Sequence, residues 1–376
     1  MRPAKTSNLL VFLLAAYVIN FPAFEVGFAS VGTSYVVSPF LLLFLVRGIR
    51  MPDRTIVVFF LLASVVTVIS IFMEGMYLRS LTILNVLIGS LIGQALYQLY
   101  GRDLSPIVTR VLSVVVGLHI IRDVQQVYQN GFSYSNQTFF FLTNGGPNIE
   151  VSVLGIMTCF IRKMEVRFTF LFYIFLKSAV YQSRAGVVIV FLSALLYFRG
   201  RYGGGSFYFI FSLSILVLFI FGFMFVESLK LQVFERFTNF DVEVQYFLEE
   251  KGRLFLWQGA MELLREISLF GLGGGRGVQV MTEYFYVLVP ENNFHNIFLQ
   301  YAVDLGVLGC FIFLLMTRRI FKAVMVRNVD LFFVSAGAVV IVSGMFQWTG
   351  YGLLEWMLIS LALSAIRMEG SGRYAS

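Results

Sequence analysis

Charge is scarce in this chain: 13% of its 376 residues are Asp, Glu, Lys or Arg, against 58% hydrophobic residues and 42 phenylalanines. A soluble domain of this size covers its surface with charge, so the composition excludes one and describes an integral membrane protein. Cysteine is far scarcer, with two residues. Cys159 and Cys310 both fall within apolar runs, so no disulfide framework is expected, and two cysteines without clustered histidines are too few for a metal site. A cleavable leader is not expected either. Arg2 and Lys5 precede a first apolar run that has no small-residue cleavage site, so that run is expected to stay as an anchor. No heptad, solenoid period or low-complexity tract stands out.

The apolar runs lie near residues 8 to 24, 26 to 46, 55 to 73, 80 to 100, 104 to 121, 147 to 161, 166 to 182, 184 to 198, 206 to 226, 295 to 316, 329 to 347 and 350 to 366. Lipid leaves no water for unpaired backbone groups, so each crossing is a helix of about 20 residues. The expected fold class is therefore an all-α polytopic membrane protein, a single integral domain of about twelve transmembrane helices. The basic residues alternate with these runs. With the N-terminus inside, cytoplasmic loops carry Arg47, Arg50 and Arg54; Arg102; Arg162, Lys163 and Arg167; Arg199 and Arg201; Arg318, Arg319, Lys322 and Arg327; and Arg367 with Arg373. Short outer connections hold only Arg79, Arg122 and Arg184, which places both termini in the cytoplasm. The net charge of +7 is thus a record of topology and does not argue for a nucleic-acid partner.

Two outer loops interrupt the pattern. Residues 122 to 146 carry Gln125, Gln126, Gln129 and Asn130, then Phe139-Phe140-Phe141 and the turn Asn144-Gly145-Gly146-Pro147. The longer loop, 227 to 294, contains Leu254, Trp257, Met261 and Leu264 at helical spacing, which predicts an amphipathic helix against the bilayer or over a cavity. Glycines then end it at Gly271-Leu272-Gly273-Gly274-Gly275-Arg276-Gly277. That run does not fit the spaced dinucleotide fingerprint. It reads either as a flexible turn or as an anion cradle of backbone N–H groups completed by Arg276.

Histidine is as scarce as cysteine, with two in the whole chain. His295 lies where the long loop meets a span, beside Asn292, Asn293 and Asn296, and is a candidate proton acceptor near neutral pH. Its structural alternative is a cap on the tenth span. Arg79 and Arg122 read as snorkelling anchors at span ends. Arg184, between Ser183 and Ala185-Gly186, reads as such an anchor or as a phosphate clamp, because a guanidinium fork binds phosphate oxygens in bidentate fashion. Lys177 lies about 10.5 Å along a helix from Arg184, and Asp304 about 13.5 Å from His295. At that similar depth an intramembrane ion pair or a wet pocket is expected.

The order Ser183-Arg184-Ala185-Gly186, Gly252-Arg253-Leu254 with Trp257, Leu269-Phe270-Gly271-Leu272-Gly273, then His295-Asn296 with Leu299 and Asp304-Leu305-Gly306-Val307-Leu308-Gly309 resembles the bacterial O-antigen polymerase and O-antigen ligase family. The resemblance covers residues 180 to 316. Gly274, Gly275 and Arg276 depart from it, in a stretch that is usually less glycine-rich. It implies a GT-C-like enzyme of the bacterial inner membrane, which transfers glycans at the periplasmic face without metal or other cofactor. The implied partners are a polyprenyl-pyrophosphate-linked glycan donor, a glycan or lipid A-core acceptor, and the lipid bilayer, with a flippase and a chain-length regulator as further candidates. His295 takes the part of general base, supported by Asn296, Lys177 and Asp304. Arg184, Arg253 and Arg276 take the pyrophosphate. Trp257, Tyr284, Phe285 and Tyr286 read as sugar platforms or as interfacial belting. A polymerase extending lipid-linked repeat units is the leading expectation and a ligase acting on lipid A-core the alternative. A twelve-span transporter predicts internal repeats, and none is seen.

Overall fold

The computed structural model describes residues 8–26, 29–75, 78–130, 146–181, 183–202, 253–266, 269–285, 293–325, 330–345 and 350–370. Its helices, in chain order, are α1 (Asn8–Ile19), α2 (Thr33–Phe44), α3 (Arg54–Glu74), α4 (Leu84–Tyr100), α5 (Leu104–Asn130), α6 (Gly146–Met157), α7 (Met164–Val180), α8 (Arg184–Tyr202), α9 (Arg253–Glu266), α10 (Gly277–Phe285), α11 (Ile297–Met325), α12 (Leu331–Gly344) and α13 (Leu353–Gly370). Eleven of the twelve apolar runs coincide with a helix. The ninth, 206 to 226, and the first outer loop's Phe139-Phe140-Phe141 lie outside the described residues.

Among the described residues, four stretches are long and apolar enough to cross a membrane: Arg54–Glu74, Arg79–Gln129, Ala185–Tyr202 and Ile297–Met325. Helices α1 and α2 have 12 residues each and are joined by an antiparallel hairpin, β1 (Pro22–Val26) with β2 (Ala29–Gly32). The first two apolar runs are therefore shorter as helices than their hydropathy suggests. At 1.5 Å per residue, such a helix reaches about 18 Å, well short of a hydrocarbon layer of about 30 Å.

The described helices fall into two compact units. The first holds α1, the hairpin, α2 and α5 to α8; the second holds α3, α9 to α11 and α13; α4 and α12 are each divided between them. In the first unit, Arg167 is 1% exposed although its sequence neighbours Arg162 and Lys163 suggest a solvated loop. Its guanidinium donates to the Ser193 carbonyl at 2.5 Å and to the Cys159 carbonyl at 3.3 Å, and stands over the Tyr197 ring. Cys159 lies at the end of the preceding helical stretch, where a cation satisfies a carbonyl that has no intrahelical donor, and Ser193 lies within α8, which the same guanidinium ties to it.

The second unit is held at one end by charge and in its middle by small residues. Asp53 caps α3 by accepting the Thr55 amide and forms a two-pronged pair with Arg319 of α11, at 2.7 and 3.0 Å. Farther along, Gly89 and Gly93 of α4 let its backbone touch α13. A Cβ on Gly89 would sit 2.4 Å from the Leu353 carbonyl oxygen, and one on Gly93 would sit 2.2 Å from that of Met357. Small residues four apart are the usual device for close helix approach in lipid, where packing contacts replace the hydrophobic drive.

Candidate active site

The segment before α11 is held by several side chains at its backbone. Asn296 caps the helix, its side-chain oxygen accepting the amides of Phe298 at 3.0 Å and Leu299 at 3.2 Å. The cap is thus Asn296 rather than His295. His295 lies one residue earlier, half-buried, in a left-handed conformation with φ of 50°. That region is costly for a residue with a Cβ and persists only where surrounding contacts impose it. Here they do. The His295 amide donates to Asn293 Oδ1 at 2.8 Å, the Phe294 amide to Gln300 Oε1 at 3.1 Å, and Trp257 Nε1 donates to the Phe294 carbonyl at 2.8 Å.

The Phe294 ring completes the mount. It is fully buried among Leu256, Ala260, Leu263, Val278, Met281 and Val303, so α9, α10 and α11 close around it. The amphipathic helix expected near Trp257 is α9, but its inward face is Leu256, Ala260 and Leu263, while Met261 is 55% exposed. Phe255, Leu256 and Trp257 are consecutive apolar residues, so periodicity alone does not choose the face. Trp257 is committed to Phe294 through its N–H, which favours a supporting role over sugar stacking. Tyr284 is exposed, and the side chains of Phe285, Tyr286 and Leu254 lie outside the described residues.

The glycine turn holds an anion, and the anion belongs to the chain. Asp304, fully buried, accepts the Gly275 amide at one oxygen and the Gly277 amide at the other, both at 2.8 Å, and Gln300 Nε2 at 2.7 Å. The remaining amides of the turn are also taken: Leu272 donates to the Val303 carbonyl, Gly273 to the Asp304 carbonyl and Gly274 to Thr67 Oγ1. Those carbonyls look outward because α11 breaks at Gly306, where φ is 71° and ψ is −172°. A Cβ at Gly306 would lie 2.3 Å from the Leu269 carbonyl oxygen. The motifs Leu269–Gly273 and Asp304–Gly306 are therefore two sides of one backbone lock.

Arg276 closes the same lock against α3. It is 6% exposed, pairs with Glu74 at 2.7 Å and donates to Ser70 Oγ at 3.1 Å. Its fork is engaged inside the protein, so the expected pyrophosphate contact at Arg276 would require exchange of Glu74. Sequence reasoning missed Glu74 and Ser70, although Thr67, Ser70 and Glu74 recur on one face of α3. Asp304 and the glycine turn together also displace the expected partnership of Asp304 with Lys177.

Lys177 has found partners in its own unit. It pairs with Asp123 at 2.9 Å and Glu150 at 3.0 Å. Arg122, 5% exposed, joins the same group through Glu150 at 2.6 Å and Asp123 at 2.7 Å, so it is not the lipid-snorkelling anchor expected from its position. Tyr181 donates to Glu150, Tyr173 donates to Asp123, and His119 Nδ1 lies 3.2 Å from Glu150. The signal for this cluster is present in the sequence. His119, Arg122, Asp123, Glu150 and Lys177 all fall near the same ends of three successive apolar runs, where unpaired charge is expensive.

The cluster borders the start of α8. Ser183 caps that helix, its Oγ accepting the Gly186 amide at 3.1 Å, while the Ser183 amide donates to the Ser178 carbonyl. Arg184 is the first residue of α8, and Arg253 is the first of α9. Both side chains lie outside the described residues. Arg253 precedes Trp257 by four residues in the chain, and Trp257 reaches the peptide next to His295.

A family model described as O-Antigen ligase matches residues 168–314. A comparison with curated proteins found no match. The matched stretch contains Lys177, Arg184, Arg253, the glycine turn, His295, Asn296 and Asp304. Over those residues this membrane protein is similar to the O-antigen ligase family.

Proposed function

We propose that the chain is a glycosyltransferase that polymerises polyprenyl-pyrophosphate-linked oligosaccharide repeat units for a surface polysaccharide, with His295 as general base. The observation that carries this reading is the mount of His295: a non-glycine residue at positive φ, clamped by Asn293, Gln300 and Trp257 inside the matched segment. Strain of that kind is retained where the position of a side chain matters. In the reaction, His295 takes the proton of an acceptor hydroxyl as its oxygen forms a bond to the donor sugar's anomeric carbon. The bond from that carbon to pyrophosphate breaks, and polyprenyl pyrophosphate leaves.

The departing group gathers negative charge, which the guanidinium groups of Arg184 and Arg253 offset. Each opens a helix, where the dipole disfavours the cation until an anion arrives. Arg276 acts behind them by holding the glycine turn to α3. The reaction belongs to the periplasmic face of a bacterial inner membrane with both termini in the cytoplasm. Support comes from the Asp53–Arg319 pair, which lies in the arginine-rich end of the second unit. Twenty-four residues separate His295 from Arg319, enough helical chain at about 1.5 Å each to cross a bilayer.

A ligase, transferring the glycan to lipid A-core, is the second reading, and the description of the matching family favours it. Reconstitution with a defined polyprenyl-pyrophosphate oligosaccharide distinguishes the two. Chain lengthening without further addition supports the polymerase; product formed only after lipid A-core is added supports the ligase. No product under either condition overturns both.

A further inference from the structure

We propose that Gln300 and Trp257 are positioning residues that aim the His295 imidazole by holding the backbone on its N-terminal side. This rests on the reading of His295 as the base. Phe294 has a backbone N–H and a backbone carbonyl, one in each of the two peptide groups that flank its Cα, and each is gripped by a buried or half-buried side chain. Its N–H donates to Gln300 Oε1 at 3.1 Å and its carbonyl accepts Trp257 Nε1 at 2.8 Å.

Gln300 is 2% exposed and cannot turn its amide over. Its Nε2 donates to Asp304 at 2.7 Å, and reversal would set that NH2 against the Phe294 N–H and its oxygen against a carboxylate. An amide side chain has one accepting and one donating end, so Asp304 fixes which end faces His295. Asp304 is itself fixed by the Gly275 and Gly277 amides. A continuous strut of hydrogen bonds therefore runs from the glycine turn through Asp304 and Gln300 to the backbone N–H of Phe294, the residue before His295. Trp257 ties the next peptide, between Phe294 and His295, to α9, the helix that Arg253 begins.

The φ of 50° at His295 shows what the strut acts on. Released from its clamps, a residue with a Cβ returns to negative φ, and the Cα–Cβ direction turns with it. The imidazole would then leave the line of the acceptor hydroxyl. Displacement of about 1 Å in a reacting group costs up to about 100-fold in rate.

The test is a double-mutant cycle in the reconstituted polymerisation or ligation assay, using Gln300→Met and Trp257→Phe, each alone and combined with His295→Ala. Gln300→Met keeps the length of the side chain without its amide, and Trp257→Phe keeps an aromatic ring without the N–H. Each single variant is expected to lower kcat about 10- to 100-fold with little change in KM for the lipid-linked donor. In the His295→Ala background, neither is expected to lower the residual rate further, because a residue that acts only through His295 has nothing left to aim. Equal losses in both backgrounds, or unchanged kcat in the single variants, would overturn the positioning role and leave the base reading standing. Wild-type turnover in His295→Ala would instead remove the base reading, and the proposal with it. Melting temperature in detergent accompanies every variant, and Trp257→Phe carries the test if Gln300→Met does not fold.

Discussion

Glu150 and Asp304 are both carboxylates taken out of solvent, one in each compact unit, and they are stabilised by opposite means. Glu150 is surrounded by Arg122, Lys177, His119 and the Tyr181 hydroxyl. Asp304 is met by two backbone amides and the neutral amide of Gln300. Charged side chains gather at the first site, whereas the second is built from backbone that has little freedom to move. Full charges buried together tie helices strongly but at a high desolvation cost. Amide dipoles set a fixed geometry without bringing in a counter-ion. The difference teaches where precision is kept: the ion cluster secures α5, α6 and α7, and the amide lock supports the residue proposed to do chemistry.

The largest effect should fall on turnover and leave stability alone. His295→Ala is expected to lower kcat by about 10² to 10⁴, with an unchanged melting temperature, since Asn296 supplies the helix cap. His295→Gln should behave alike. A folded variant of either kind that turns over at wild-type rate would erase the division of labour between the two units.

Glu150→Gln should show the reverse pattern. It leaves Arg122 and Lys177 short of a buried counter-charge, and breaking such a pair typically costs about 3 to 5 kcal/mol. Asp304→Asn keeps the shape but turns an NH2 towards an amide donor, for about 1 to 3 kcal/mol. Thermal melting in detergent of the two variants side by side measures the contrast. If Asp304→Asn proved the more damaging to stability, the amide lock would be the principal brace of its unit and the comparison would be inverted.

Arg184→Lys probes the edge of the ion cluster. Lysine keeps the charge and loses the planar fork, so a pyrophosphate role predicts a fall in turnover of about tenfold at equal expression. Undiminished turnover would return Arg184 to an anchor beside the cluster.

The smallest effect concerns pH at the opposite end of the second unit. Burial alone would raise the Asp53 carboxyl, but hydrogen bonds from Arg319 and Thr55 hold it below its ordinary value. A carboxyl lowered by folding contributes stability above its unfolded value, near about 4, and that contribution is lost as pH falls through the folded value. Melting temperature measured from about pH 6 downward should therefore drop more in the wild type than in Asp53→Asn. Parallel curves would show that the Asp53–Arg319 pair adds nothing to stability.

Much of the architecture is legible in the sequence, because lipid imposes a strong one-dimensional constraint. Apolar runs of the right length locate eleven helices, and the glycine run correctly marks a break after an amphipathic helix. Legibility falls wherever a residue's role depends on its partner. Arg122 at a span end reads as an anchor, yet Glu150, 28 residues away in the chain, makes it the centre of a cluster. Arg276 reads as a free phosphate fork until Glu74 is placed against it. Leu254, Trp257, Met261 and Leu264 mark an amphipathic helix but not which of its faces turns inward, because a run of consecutive apolar side chains leaves the face undetermined.

By itself, the sequence determined the solvent, the succession of helices, the family motif across the second half and the candidacy of His295. These follow from composition, local period and residue order, which are properties of the chain read in line. Tertiary structure alone decided that Asp304 fills the glycine turn, that Asn296 rather than His295 caps α11, and that Gln300 and Trp257 grip the Phe294 backbone. Each of those outcomes is a choice of hydrogen-bond partner, and a buried donor or acceptor must take whichever partner the packing brings within reach, however far away it lies in the chain.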